Sequence, residues 1–249
     1  MLPASCPQIV RNCDRGPRAN GDTRPSGTLE PRLAPDGGTH PVLTRGSAGY
    51  HRHMAERNRV SPRSEIVAIP LRGRFMGNRG CLHRGHTVVR NHAGKRWIIC
   101  VTDYPARTVA QWSDGHYTVL FFHDEAVALA AGHRPCALCR RERYNDFRVA
   151  WQSAHGGGLP GADQMDARLH GERLVGSGQR THEAPWSSLP DGAFALSDGG
   201  PAVVLGDTVV PWSAEGYGTP ANRPTGTATV LTPPSTVAVL TAGYRPDVA

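Results

Sequence analysis

The sequence predicts an α+β fold: a hairpin-and-helix half, then a β-rich C-terminal half, behind a disordered N-terminal segment. Three observations carry this reading. Residues 1–61 place Pro at 3, 7, 17, 25, 31, 35 and 41 among scattered Arg and Gly, with no period of 2 or 3.6. Such a segment cannot bury enough apolar surface to offset the entropy of ordering it. Between 62 and 155, apolar strand-like runs alternate with two helical patterns. Beyond Gly156-Gly157-Gly158 and Pro160 the pattern is mostly short strands bounded by Gly and Pro. The boundaries read from these shifts are 1–61, 62–155 and 160–249. Met54, just before the first strand-like run, is an alternative start.

Taken in order, "EIVAIPLRG" (65–73) predicts a strand, and the glycine-punctuated "GRFMGNRGCLHRGH" (73–86) a turn-rich loop. "RWIICVTDY" (96–104) and "HYTVLFF" (116–122) predict buried strands joined as a hairpin. "HDEAVALAAG" (123–132) predicts a short helix, with Asp124 as its cap, Glu125 in its first turn and Gly132 as its stop. "ALCRRERYNDFRVAW" (137–151) predicts a second helix, because Tyr144, Phe147 and Trp151 share one face. "DQMDARLHGERL" (163–174) predicts a third. "GAFAL" (192–196), "AVVLGDTVVPW" (202–212) and "GTATVLTP" (226–233) predict strands, with Gly206-Asp207 a two-residue turn. "PPSTVAVLTAG" (233–243) predicts a closing helix.

The formal net charge is +7. Nine Arg against five acidic residues in 1–61 supply more than half of it, and Lys95 is the only lysine. The charge of the remainder does not by itself announce a nucleic-acid binder. No apolar run approaches the roughly 18 residues of a membrane span, and no segment has the layout of a secretory leader. These features predict a cytoplasmic protein with reduced thiols, where paired cysteines bind metal more often than each other.

"AGHRPCALCRRERY" (131–144) holds Cys136 and Cys139 three residues apart. A Cys-x-x-Cys suits two adjacent corners of a zinc tetrahedron. It also suits two small core residues, or a redox pair, although the thioredoxin-like βαβ context for the last is missing. A metal needs further ligands, and the ordered region offers Cys81 and Cys100, with His83 and His86 as alternatives.

"FFHDEAVALAAGHRPCALCRR" (121–141) resembles the second half of the zinc-binding domain of Ada-type DNA methylphosphotriester repair proteins. The matching positions are Phe121, Phe122, Glu125, Ala126, Ala130, Ala131, Gly132, Arg134, Pro135, Cys136 and Cys139. The first half departs from the family pattern. "WIICVTDYPAR" (97–107) has Cys100 and the Pro-Ala-Arg, but Tyr104 stands where the family has a second cysteine. The resemblance implies a Zn2+ ion held by Cys100, Cys136 and Cys139; the fourth ligand must come from elsewhere, with Cys81 the first candidate and His83 and His86 the alternatives, or be absent. It also implies that Cys100 would be the thiolate accepting a methyl group. No helix-turn-helix or alkyltransferase motif follows, so the zinc is expected to be structural and to stabilise the hairpin-and-helix half. His133 replaces an aromatic of the family pattern and is expected to be structural.

Arg79, Arg84, Arg134, Arg140, Arg141 and Arg143 flank these cysteines and could form a basic face that tracks the phosphates of DNA or RNA. A solvated surface interleaved with Glu142 and Asp146 is the alternative. Gly77-Asn78-Arg79-Gly80 could cradle an anion or simply turn the chain. Asp163, Asp166, His170, Glu172 and His182 invite a hydrolase reading without the spacing of one. The aromatics of 208–218 and 242–246 could rim a pocket, though turn packing is the commoner use. Three functions follow as expectations: a nucleic-acid-associated zinc protein, a zinc-dependent enzyme (methyl acceptor or hydrolase), and a zinc-stapled scaffold.

Overall fold

A computed structural model describes residues 55–105 and 110–249. The expected disorder before residue 55 lies outside the described residues. So do Cys6, Cys13, His40, His51 and His53, and Ala106 and Arg107 of the Pro-Ala-Arg. In chain order the first elements are β1 (Arg59–Val60), β2 (Ile66–Val67), β3 (Phe75–Asn78), and a small hairpin of β4 (His83–Arg84) and β5 (Thr87–Val88). Then come β6 (Ile98–Val101), β7 (Leu120–Phe122), α1 (Glu125–Ala130), β8 (Arg134–Pro135) and α2 (Arg141–His155). Next are α3 (Ala162–Arg173), a hairpin of β9 (Leu174–Val175) and β10 (Gly178–Gln179), and β11 (His182–Pro185). After them run β12 (Phe194–Ser197), β13 (Gly200–Leu205), β14 (Thr208–Ser213), β15 (Gly216–Tyr217), β16 (Ala221–Asn222), β17 (Thr227–Val230) and α4 (Pro234–Thr241). The class is mixed α and β, as expected.

The first sheet has the order β2-β1-β7-β3-β6-β8, and the second runs β11-β17-β12-β13-β14-β15 with β16 also on β14. The second sheet is antiparallel throughout. The turn expected at Gly206-Asp207 is present: Leu205 pairs with Thr208, and Gly206 has φ +56°. One apolar core runs through both halves. It includes Val60, Leu120 and residues 126–130 of α1, then Phe147, Trp151 and Met165, then Phe194, Val203 and Leu240.

Three expectations in the first half need correction. "RWIICVTDY" and "HYTVLFF" do not pair with each other, because β3 lies between them, antiparallel to both. The stretch expected to be all loop therefore supplies a central strand at Phe75–Asn78. Its glycine misled the reading. A Cβ at Gly77 would lie 2.3 Å from Cε2 of Phe122, so the missing side chain is what lets the buried ring pack against the strand. The second helix starts at Arg141, four residues later than expected, because the segment holding Cys139 is turned first.

The helix between them follows the sequence closely. Asp124 caps α1 by accepting from the Val127 amide at 2.8 Å. Gly132 ends that turn at φ +81°, where a Cβ would also meet the buried Arg173 side chain at 2.6 Å. The chain then enters β8, parallel to β6, with Ile98 opposite Arg134 and Ile99 opposite Pro135. One residue further, Cys136 stands beside Cys100.

Candidate metal centre

Strand pairing places the first two sulfurs. Cys100 is the third residue of β6, opposite Met76 of β3. The Cys136 amide donates to the Ile99 carbonyl at 2.9 Å, which carries the β8 register as far as the cysteine. A tight turn follows, in which the Arg140 amide donates to the Cys136 carbonyl at 3.2 Å and the Leu138 amide donates to the Cys136 sulfur at 3.4 Å. That turn returns Cys139 to its pair. Cys100, Cys136 and Cys139 are free cysteines, with ligand atoms all within 4.8 Å of one another. For comparison, two sulfurs on a zinc tetrahedron at 2.3 Å bond lengths would be about 3.8 Å apart. The three could hold a metal ion. Ile98, Met76 and Leu138 pack around them in a small apolar cluster apart from the main core.

Among themselves the sulfurs share protons unequally. Hydrogen bonds from the Cys100 and Cys139 thiols, helped by the Leu138 amide, pull Cys136 far below the usual thiol range. Cys100 is pushed well above that range, first by its bonds to Cys136 and Cys139 and then by burial. Cys139 is pulled down by its bond with Cys100. Its bond to Cys136, burial and the Cys136 charge outweigh this and push it up to about 11. The triad thus favours one thiolate, and a divalent cation would favour all three.

The other ligand candidates lie elsewhere. Among the described residues the cluster contains three cysteines and not four. Cys81 is disulfide-bonded, so its sulfur has no thiolate to offer. The buried His83 places Nδ1 2.6 Å from the Thr118 hydroxyl and packs edge-on to Trp112. His86 is exposed and stacks on the same indole. His133 is fully buried, accepting at Nε2 from Arg79 at 3.1 Å and packing on Trp97 and Phe122. The expected fourth ligand is thus not supplied from the "CLHRGH" stretch.

A cavity of about 350 Å³ opens over the centre, with all three cysteines in its lining. Met76, Val119, Phe121 and Leu138 form apolar wall, while Asn78, Asp103 and Tyr104 add polar groups. Reading the sequence missed this cavity because it depends on β3 lying beside β6. Tyr104 was its one visible signal, as the residue standing where a further cysteine would be.

The arginines named from sequence separate into two groups. Arg134 makes a two-pronged ion pair with Asp166, at 2.9 and 2.6 Å, with both side chains buried. Arg140 pairs with the fully buried Glu125 at 2.9 Å, and Arg143 reaches the same carboxylate at 3.1 Å. Arg79 is enclosed, donating to Ser64 and His133 and lying 4.1 Å from the Trp97 ring; Arg173 lies 3.9 Å from that ring. Only Arg84 and Arg141 of the six are exposed, with Arg143 partly so. The expected common basic face is therefore corrected, because Arg79, Arg134 and Arg140 are turned inward to serve the fold.

The carboxylates and histidines considered for hydrolysis also go separate ways. Asp166 belongs to Arg134, Asp163 is exposed beside Arg96, and Glu172 accepts from the Ser235 amide and hydroxyl. In Gly77-Asn78-Arg79-Gly80, the Asn78 side chain accepts from the Gly80 amide at 2.7 Å, closing a turn. Trp212 and Tyr217 are packed against His123, and the Tyr217 hydroxyl donates to Asp124 at 2.6 Å.

No family model, curated protein or solved structure matches this chain. Its class is thus defined by its own geometry: an α+β protein with a three-cysteine candidate metal centre beside an apolar cavity. Among the described residues no helix is long and apolar enough to cross a membrane.

Proposed function

We propose that the chain is a zinc-binding protein in which Cys100, Cys136 and Cys139 hold one Zn2+ as thiolates. The observation that carries the reading is the convergence of three sulfurs within 4.8 Å from two separate parts of the chain. A thiolate set is soft and suits zinc or copper(I) better than magnesium or calcium. Its compact spacing suits a tetrahedral ion. The resemblance of 121–141 to an Ada-type half-site supports the same choice. When bound, zinc would keep the three sulfurs deprotonated and tie them into one unit. The chain supplies the rest. β6 and β8 fix Cys100 and Cys136 by main-chain pairing, the Leu138 amide stabilises negative charge on Cys136, and the buried Arg140–Glu125 pair anchors the turn after Cys139. The metal would thus staple the sheet edge to the start of α2. Elemental analysis of the purified protein tests this. One zinc per chain is expected in the wild type and a loss of most of it in Cys136→Ser; zinc-free wild-type protein would refute the reading.

A second reading is association with DNA or RNA. It is supported by charge: residues 55–101 carry ten basic groups and two acidic ones, and Arg72, Arg84, Arg90, Lys95 and Arg96 are exposed. The internal use of Arg79, Arg134 and Arg140 moves this expectation from the cysteine turn to the β3–β6 segment. Phosphate contacts release counterions, so binding should weaken steeply as salt rises. An affinity for duplex or single-stranded oligonucleotides that is absent, or flat with salt, would exclude it.

A further inference from the structure

Three thiolates leave one corner of a tetrahedron, and the same three residues are part of the lining of the cavity beside them. We propose that this cavity binds a small thiol with an apolar body, whose sulfur becomes the fourth ligand of the three-cysteine centre. This rests on the metal reading above.

Donor count is the first support. The cluster holds three sulfurs among the described residues, Cys81 is committed to a disulfide, and a tyrosine occupies position 104. Centres with three protein ligands keep their remaining position for an exogenous group.

The character of the centre selects sulfur. A divalent ion with three thiolates carries a net charge of about −1 and is already rich in electron density. It gains little from a hard oxygen ligand, whereas a soft sulfur competes well. On binding, the S–H bond of the incoming thiol breaks, its proton passes to solvent, and the sulfur lone pair bonds to the metal.

The walls select the body. Met76, Val119, Phe121 and Leu138 offer apolar surface, and about 350 Å³ falls within the range of small-molecule pockets. No basic residue lines the cavity among the described residues, whereas Asp103 does. Among the described residues a phosphate- or sulfonate-bearing ligand would therefore find a carboxylate and no cation, so the preferred thiol is neutral or cationic.

Cobalt(II) exchanged into the full chain reports sulfur coordination by its thiolate-to-metal absorption, with no need of an activity. Titration with phenylmethanethiol is expected to raise that absorption saturably by about a third, as three thiolates become four. Phenylmethanol should leave it unchanged, and 2-sulfanylethanesulfonate should bind roughly tenfold more weakly or worse. Thr102→Trp, at an exposed position on the cavity lining, should keep cobalt and the three-sulfur spectrum yet lose roughly tenfold in thiol affinity. A cobalt-loaded protein indifferent to phenylmethanethiol, or already showing four sulfurs, would overturn the thiol proposal and leave the metal reading intact. Equal affinity for the sulfonate, or an unaffected Thr102→Trp, would overturn the role of the cavity. Failure to take up zinc or cobalt at all would refute both.

Discussion

Asp166→Asn keeps the size of the side chain but removes one buried charge and one acceptor, so its cost can be worked out from the surroundings. Arg134 lies in β8, two residues before Cys136, and its side chain is 2% exposed. It donates from Nε and Nη2 to the two carboxylate oxygens of Asp166 and from Nη1 to the Pro135 carbonyl at 3.0 Å. The asparagine can accept one of the two bonds but leaves the guanidinium without a counter-charge in a low-dielectric site. Breaking a buried pair in this way costs about 3–5 kcal/mol, and the retained bond places the expected loss near 3 kcal/mol. With a urea slope of roughly 2 kcal/mol per molar, the unfolding midpoint should fall by about 1.5 M. The measurement belongs on chelator-treated protein, so that bound metal does not mask the change. Replacing both partners, as Arg134→Met with Asp166→Leu, should recover stability to within about 1 kcal/mol of wild type. A loss below about 1 kcal/mol in Asp166→Asn would show that the arginine finds water or another partner, and the view of Arg134 as an internal anchor would fail.

Gly77→Ala should destabilise by about 1–3 kcal/mol through overpacking, since its Cβ would meet Phe122 at 2.3 and 2.6 Å; an unchanged thermal midpoint would mean the ring moves aside at no cost. Arg140→Gln should lose about 2 kcal/mol by removing one of the two cationic partners of the buried Glu125, with Arg143 keeping the other, whereas Arg141→Gln, exposed, should stay within about 0.5 kcal/mol; equal effects in urea titrations would contradict the division of the arginines. Burial, then the charges of Arg79 and Arg173, hold His133 well below its ordinary value of 6.5, and His92 and His170 are lowered as well, chiefly by burial. Below that value the unfolded chain binds protons that the native histidines refuse. Stability is therefore full above pH of about 6.5 and declines as pH falls toward the depressed native values. The midpoint of thermal unfolding should drop between about pH 7.5 and 5.5, and a flat profile would contradict the burial of these neutral rings.

Where local sequence carries both the signal and the cause, the structure follows it. Asp124, the alanine-rich turn and Gly132 define α1 within a few residues, because capping, propensity and a left-handed stop all act within ten positions. The β13–β14 turn at Gly206-Asp207 is legible for the same reason. β3 was not legible. Phe75–Asn78 has a weak strand pattern, and it forms because β6 and β7 present edges on both sides and Phe122 fills the space over Gly77. The arginines show the same limit. An Arg beside a cysteine turn reads as surface until Asp166, 32 residues on, or Glu125, 15 residues back, is seen to meet it in the interior.

The sequence by itself determined the mixed helix and strand content, the close spacing of Cys136 and Cys139, and the helix that leads into them. Each of these is written in contiguous residues and local physical chemistry. Only the tertiary structure decided that Cys100 joins that pair while Cys81 does not, and that a cavity opens beside the three. It also decided that half of the expected basic face is spent inside the fold. These outcomes depend on which strands become neighbours, and pairing across 20 to 40 residues is set by the shared core, where no short stretch of sequence records it.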